Sequence, residues 1–162
     1  MPNAYATPAR YLDPDRDGTV ILGLNLMQVE QGHSNWGAAL NGILAHEWAH
    51  ILQQNTPGLR IMPTPWKELH ADFLAGWYMG LRSIELRTPV PIDGFGRSLY
   101  GKGDYGFFDP DHHGTPEQRA VMMYEGYDYA RNSSERGLDA AVRFSANRLR
   151  FEGARIRVLP TR

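Results

Sequence analysis

Apolar positions recur at helical spacing over most of the chain. Residues 36 to about 54 show this pattern strongly, and Pro57-Gly58 is expected to end that helix. A second long helix is predicted from near Pro65 to about Leu86, because proline fits a first helical turn. A third follows Thr115-Pro116-Glu117 and reaches about Arg131, with Thr115 as N-cap. A fourth covers roughly Gly137 to Phe151, where Leu138, Ala141, Val142, Ser145 and Leu149 share a face. Gly18 to Gly23 reads as a short buried strand behind an Asp-Gly turn. Leu24–Gln31 allows one or two helical turns, and Gly32 to Asn35 is a break with capping potential. Residues 1–17 read as extended chain and turns. Residues 88–114, with three prolines, six glycines and five aromatics, read as a long irregular loop or flap. The last ten residues read as a short strand or tail. The expected architecture is α+β, mainly helical with a small sheet, in one domain over residues 1–162.

Composition narrows the function classes. A chain of 162 residues can bury a core without disulfide or metal staples. An apolar fraction of 42% and a charged fraction of 22% exclude wholesale disorder, collagen-like repeats and a coiled coil. The longest apolar run, Thr19 to Leu24, falls far short of the ~18 residues that span a bilayer. A net charge of -1 gives no electrostatic reason to expect nucleic acid or an anionic membrane as partner. The absence of cysteine removes disulfides, thiolate-bound zinc, Fe–S clusters and thiol catalysis together. Met1-Pro2-Asn3-Ala4-Tyr5 has no basic segment leading into an apolar one. No signal peptide is therefore expected in this sequence; an exported protein with its leader removed fits equally.

Chemistry concentrates in His46-Glu47-Trp48-Ala49-His50, an H-E-x-x-H pattern inside a predicted helix. Histidines at i and i+4 lie one above the other on one face, so both imidazoles reach one metal ion. Neutral nitrogen ligands hold Zn²⁺ while leaving it electrophilic, and Glu47 is placed to take a proton from an activated water. Ala38, Ala39, Gly42, Ala45 and Ala49 line the same helix, and small residues let a neighbour come close.

A catalytic zinc needs a third protein ligand. The next helix offers Glu68-Leu69-His70-Ala71-Asp72. Glu68 and Asp72 are four apart and share a face. His70 lies about 200° round from Glu68, so the two cannot both face one metal. Glu68 is therefore expected as third ligand. Asp72 is expected behind it, accepting a hydrogen bond from a ligand imidazole and fixing its tautomer. Ala71, Ala75 and Gly76 again permit close approach.

The two motifs together resemble the gluzincin arrangement, H-E-x-x-H followed by E-x-x-x-D. More narrowly, Glu68-Leu-His-Ala-Asp-Phe-Leu-Ala-Gly76 is similar to the third-ligand helix of the predicted neutral zinc metallopeptidases of bacteria. Gly103-Asp104 and then His113-Gly114-Thr115-Pro116-Glu117-Gln118-Arg119 resemble a later motif of that family. Asn3-Ala4-Tyr5-Ala6 and Leu44-Ala45-His46-Glu47 are also similar to prenyl-protease-like metallopeptidases. The resemblance runs from about residue 3 to 130. It implies a zincin-like domain, bound Zn²⁺ and a protein or peptide substrate. The chain departs from the family in its shortness, in starting almost at Asn3, where family members usually carry a leader or membrane anchor, and in Trp48 and Trp77.

The function expected is zinc-dependent hydrolysis of peptide bonds, as an endopeptidase. His46, His50 and Glu68 bind the metal, Glu47 is the general base, and His113, just before a helix N-terminus, stabilises the oxyanion. His112 competes with His113 for that role. Arg119 is expected in a surface or structural salt bridge rather than on a substrate carboxylate. Tyr100, Tyr105, Phe107 and Phe108 anchor the long loop or line a cleft. The strand near Thr19–Gly23 is a candidate edge for an extended substrate. Asp13 to Gly18 begins like a calcium loop, but position twelve is Leu24, so a turn is expected. Asp109-Pro110-Asp111 is likewise read as a solvated turn. Gly101-Lys102-Gly103 lacks the frame of a phosphate loop. The alternatives are a metal hydrolase acting on a non-peptide, and a binding or regulatory module with a structural zinc.

Overall fold

A computed structural model of the chain describes residues 4–100 and 113–157. The fold is mainly helical with one small antiparallel sheet. Strand β1 (Ala4–Thr7) pairs with β2 (Thr19–Leu22), with Ala4 opposite Leu22 and Thr7 opposite Thr19. Helix α1 is Leu24–Gln31 and α2 is Trp36–Asn55. A single turn, α3 (Pro57–Arg60), leads to α4 (Thr64–Glu85). Then come α5 (Asp93–Tyr100), α6 (Pro116–Asn132) and α7 (Leu138–Arg157). Among the described residues no helix is long and apolar enough to cross a membrane.

The local reasons are visible. Pro57 does not merely follow α2; it opens α3 at a position where its missing N–H costs nothing. Thr115 caps α6 in a reciprocal box. Its hydroxyl accepts from Gln118 N–H at 3.2 Å, and the Gln118 side chain accepts from Thr115 N–H at 2.9 Å. The Asp-rich segment is a turn: the Asp13 carboxylate accepts from Asp15 N–H and from Arg16.

Glycine sets how closely α4 and α6 cross. A Cβ on Gly76 would lie 1.9 Å from the Met123 carbonyl oxygen, and one on Gly126 1.9 Å from that of Phe73. Both obstacles are backbone, so no side-chain shift relieves them. The crossing brings Arg119, near the start of α6, beside Asp72 on α4. On α2, Gly42 acts differently: it receives the ring of Phe95, not a second backbone.

Two expectations need correction and one is sharpened. Residues 93–100 are helical, not irregular. Ile92, Phe95 and Leu99 are buried at 7%, 1% and 2% exposure, and burying that face outweighs the low helix propensity of Gly94 and Gly96. Glycine is also what fits there, since Gly94 packs against the Asn35 carbonyl. The extended chain expected near the start is sharpened, because Ala4–Thr7 pairs with β2 as strand β1. Finally, α7 runs past Phe151 to Arg157, through Gly153, whose cost to a helix is only about 1 kcal/mol. The segments holding Tyr105, Phe107, Phe108, Asp109, Asp111, His112 and Gly101-Lys102-Gly103 lie outside the described residues, as does the Tyr100 side chain.

Candidate metal centre

Helix α2 turns His46 and His50 toward α4, which presents Glu68 from its second turn. The two imidazole Nε2 atoms are 3.0 Å apart. Glu68 Oε2 is 3.4 Å from His46 Nε2, and Oε1 is 3.4 Å from His50 Nε2. Donors at about 2.0–2.1 Å around a tetrahedral zinc lie roughly 3.3 Å from one another. The observed spacing matches that edge, so a His46/His50/Glu68 group can bind a metal.

The outer nitrogens strengthen the fit. His46 Nδ1 lies 2.8 Å from Asp72 Oδ1, close enough that the carboxylate's charge favours a proton on Nδ1. His50 Nδ1 lies 2.9 Å from Gln53 Oε1. Gln53 has its amide nitrogen committed to the Lys67 carbonyl at 2.8 Å, which makes its oxygen the acceptor for His50. Both histidines therefore direct Nε2 lone pairs inward, toward each other and toward a carboxylate. Three acceptors converging on one point require a cation between them.

Without a metal, that cation is a proton. Burial opposes a charged His46, but the charge and hydrogen bond of Asp72, with Glu68 adding, outweigh it and raise His46 to about 9. His50 is pushed the other way, by burial and by the charge of His46. Burial would raise Glu68, yet His46, His50 and Arg119 bring it down to about 2. Glu68 is thus an ionised donor at neutral pH.

Asp72, completely buried, is held from its other side by Arg119. The guanidinium donates from Nε at 2.8 Å and from Nη2 at 3.0 Å, in a bidentate clamp. Arg119 Nη2 also lies 3.5 Å from Glu68 Oε2. The salt bridge expected for Arg119 is structural and lies inside the site, at 3% exposure. His70 faces away from the donors, as its helical phase demands. It is buried beside Gln53, with Nδ1 3.1 Å from the amide nitrogen, and burial and the charge of His50 lower it to about 4.

The donors open into a cleft of about 660 Å³. Glu47 and His113 both line it, Glu47 nearly buried and His113 exposed at the mouth. Ala4, Tyr5 and Ala6 form one flank, so β1 rather than β2 is the strand beside the site. Sequence reasoning missed Gln53. Gln53 and Gln54 both fall within about 60° of His50 round the helix, so spacing does not choose between them. Comparison with models of protein families, with curated proteins and with solved structures finds no match.

Proposed function

We propose that the chain is a zinc-dependent peptidase of gluzincin type, akin to the neutral zinc metallopeptidases that its motifs resemble. One observation carries the reading. Three converging acceptors, each histidine fixed from behind, face an open cleft that also holds the carboxylate of Glu47. A structural zinc site is closed and has no use for a free carboxylate at its opening.

Zinc held by His46, His50 and Glu68 would polarise a carbonyl and lower the pKa of a bound water toward about 7. Glu47 accepts the proton of the attacking water and delivers it to the leaving amine. His113 donates a hydrogen bond to the oxyanion from the cleft mouth. Asp72 and Gln53 hold the two imidazoles in the tautomer that keeps Nε2 available. An extended peptide lies along the outer edge of β1, which flanks the cleft.

The test is Glu47→Gln. Turnover of a peptide substrate should fall at least about a hundredfold while bound zinc is retained. Undiminished turnover in that variant contradicts the reading.

A further inference from the structure

The cleft is polarised along α2. Ile43, one turn before His46, lines one end together with Phe95 and Leu99 of α5. Gln54, one turn after His50, lines the other end together with Arg60 of α3 and Lys67 of α4. Ile43 and Gln54 are about 16 Å apart along the helix, at roughly 1.5 Å per residue. That span accommodates an extended peptide of about five residues.

The two ends differ in what they leave unsatisfied. The first is apolar, with the Phe95 ring seated on Gly42. At the second, neither Arg60 nor Lys67 meets a carboxylate among the described residues. Of the remaining charges of the cleft, Glu47 stands next to His46 on α2 rather than with Arg60 and Lys67. Glu68 is engaged with both histidines and Arg119, and Arg119 is clamped on Asp72. Two uncommitted cations beside an open cleft favour a ligand that brings negative charge to that end.

We propose that this cleft selects peptides carrying a carboxylate on one side of the bond that lies over the donor cluster and an apolar side chain on the other. Arg60 and Lys67 recognise the carboxylate; Ile43, Phe95 and Leu99 receive the apolar side chain. The inference rests on the peptidase reading for its substrate class. The carboxylate is that of an Asp or Glu side chain or of a peptide C-terminus, and both present the same anion.

The experiment measures binding as well as cleavage. Ten-residue peptides share an apolar residue and differ only in an Asp, Asn or Lys on its far side, each made as free acid and as amide. Fluorescence anisotropy reads their affinity for the zinc-loaded Glu47→Gln protein. The Asp peptide should bind about tenfold tighter than the Lys peptide, with the margin shrinking in higher salt. A preference for Asp over Asn and Lys that persists in the amides assigns the side chain; tighter binding of free acids than of amides, whatever the side chain, assigns the terminus. Arg60→Gln with Lys67→Gln should erase the preference, and Arg60→Glu with Lys67→Glu should reverse it, with circular dichroism verifying the fold. Equal affinity across the Asp, Asn and Lys peptides and across free acids and amides overturns the proposal, as does a preference that survives both double variants. Cleavage by the wild-type zinc protein separates the two readings. Indiscriminate cutting of the whole set sinks the charge selection and keeps the peptidase. Selective binding of acidic peptides with no cutting sinks the peptidase and keeps the selection.

Discussion

His46 and His50 are one helical turn apart, yet the chemistry behind them differs. His46 backs onto an ionised chain, Asp72 and then Arg119, all of it buried. His50 backs onto a neutral one, Gln53 and then the Lys67 carbonyl and His70. The carboxylate stabilises a positive imidazole and raises His46; the amide fixes a tautomer without adding charge. The same ligand spacing is thus held by an electrostatic brace on one side and a geometric one on the other. Removing each brace should therefore cost different things.

The largest effect is expected from Asp72→Asn. It leaves the Arg119 cation buried without its bidentate partner, and breaking such a pair from one side costs about 3–5 kcal/mol. Thermal unfolding of the metal-free protein should report a large loss, and zinc affinity should fall as well. A variant as stable as the parent would show that Asp72 and Arg119 are not the brace inferred here.

Acidity sharpens the comparison next. His46 is raised to about 9 from an ordinary 6.5, so its contribution to the metal-free fold is complete below pH 6.5 and is lost as pH rises through 9. His70 has the opposite sign. Lowered to about 4, it stays neutral in the fold while the unfolded chain takes up a proton, so stability is lost as pH falls from 6.5 toward 4. Glu68, held near 2, adds to the acid loss between pH 4.5 and 2. Denaturant titrations of metal-free protein should therefore peak near pH 6.5. Zinc should remove the alkaline slope, because it replaces the proton on His46. Calorimetry near pH 7.5 in two buffers should find about one proton released per zinc bound. Zinc uptake that releases no proton would contradict the proton that His46 holds in the metal-free site.

A smaller effect follows from Gln53→Ala. No charge is stranded, so the fold should lose less than with Asp72→Asn, about 1–3 kcal/mol for the buried partners left unpaired, while zinc affinity drops about 10–100-fold. Gln53→Glu, which still offers His50 an acceptor, should recover much of that loss. If alanine and glutamate behave alike in a chelator competition, the amide does not position His50.

How far all this was legible in the sequence follows from the range of each interaction. His46, Glu47 and His50 belong to one helix, so their juxtaposition is local and readable from a four-residue spacing. Glu68 was readable because helical phase separates it from His70. The clamp of Arg119 on Asp72 joins residues 47 positions apart, through a crossing that Gly76 and Gly126 set, and no local pattern specifies that partner. Helix α5 was hidden because Gly94 and Gly96 mask an apolar face that only tertiary burial reveals. Strand β1 was too short to show a period, and its partner β2 supplies the pairing that makes it a strand.

The central claim is that His46, His50 and Glu68 jointly hold one metal ion. Elemental analysis of the purified, dialysed protein tests it most directly, beside His50→Ala and Glu68→Ala, with and without prior chelation. About one zinc per parent chain is expected, lost to chelator and regained on titration, with markedly weaker retention in both variants. A folded parent chain that takes up no zinc, or a Glu68→Ala protein that holds it as tightly as the parent, would contradict it.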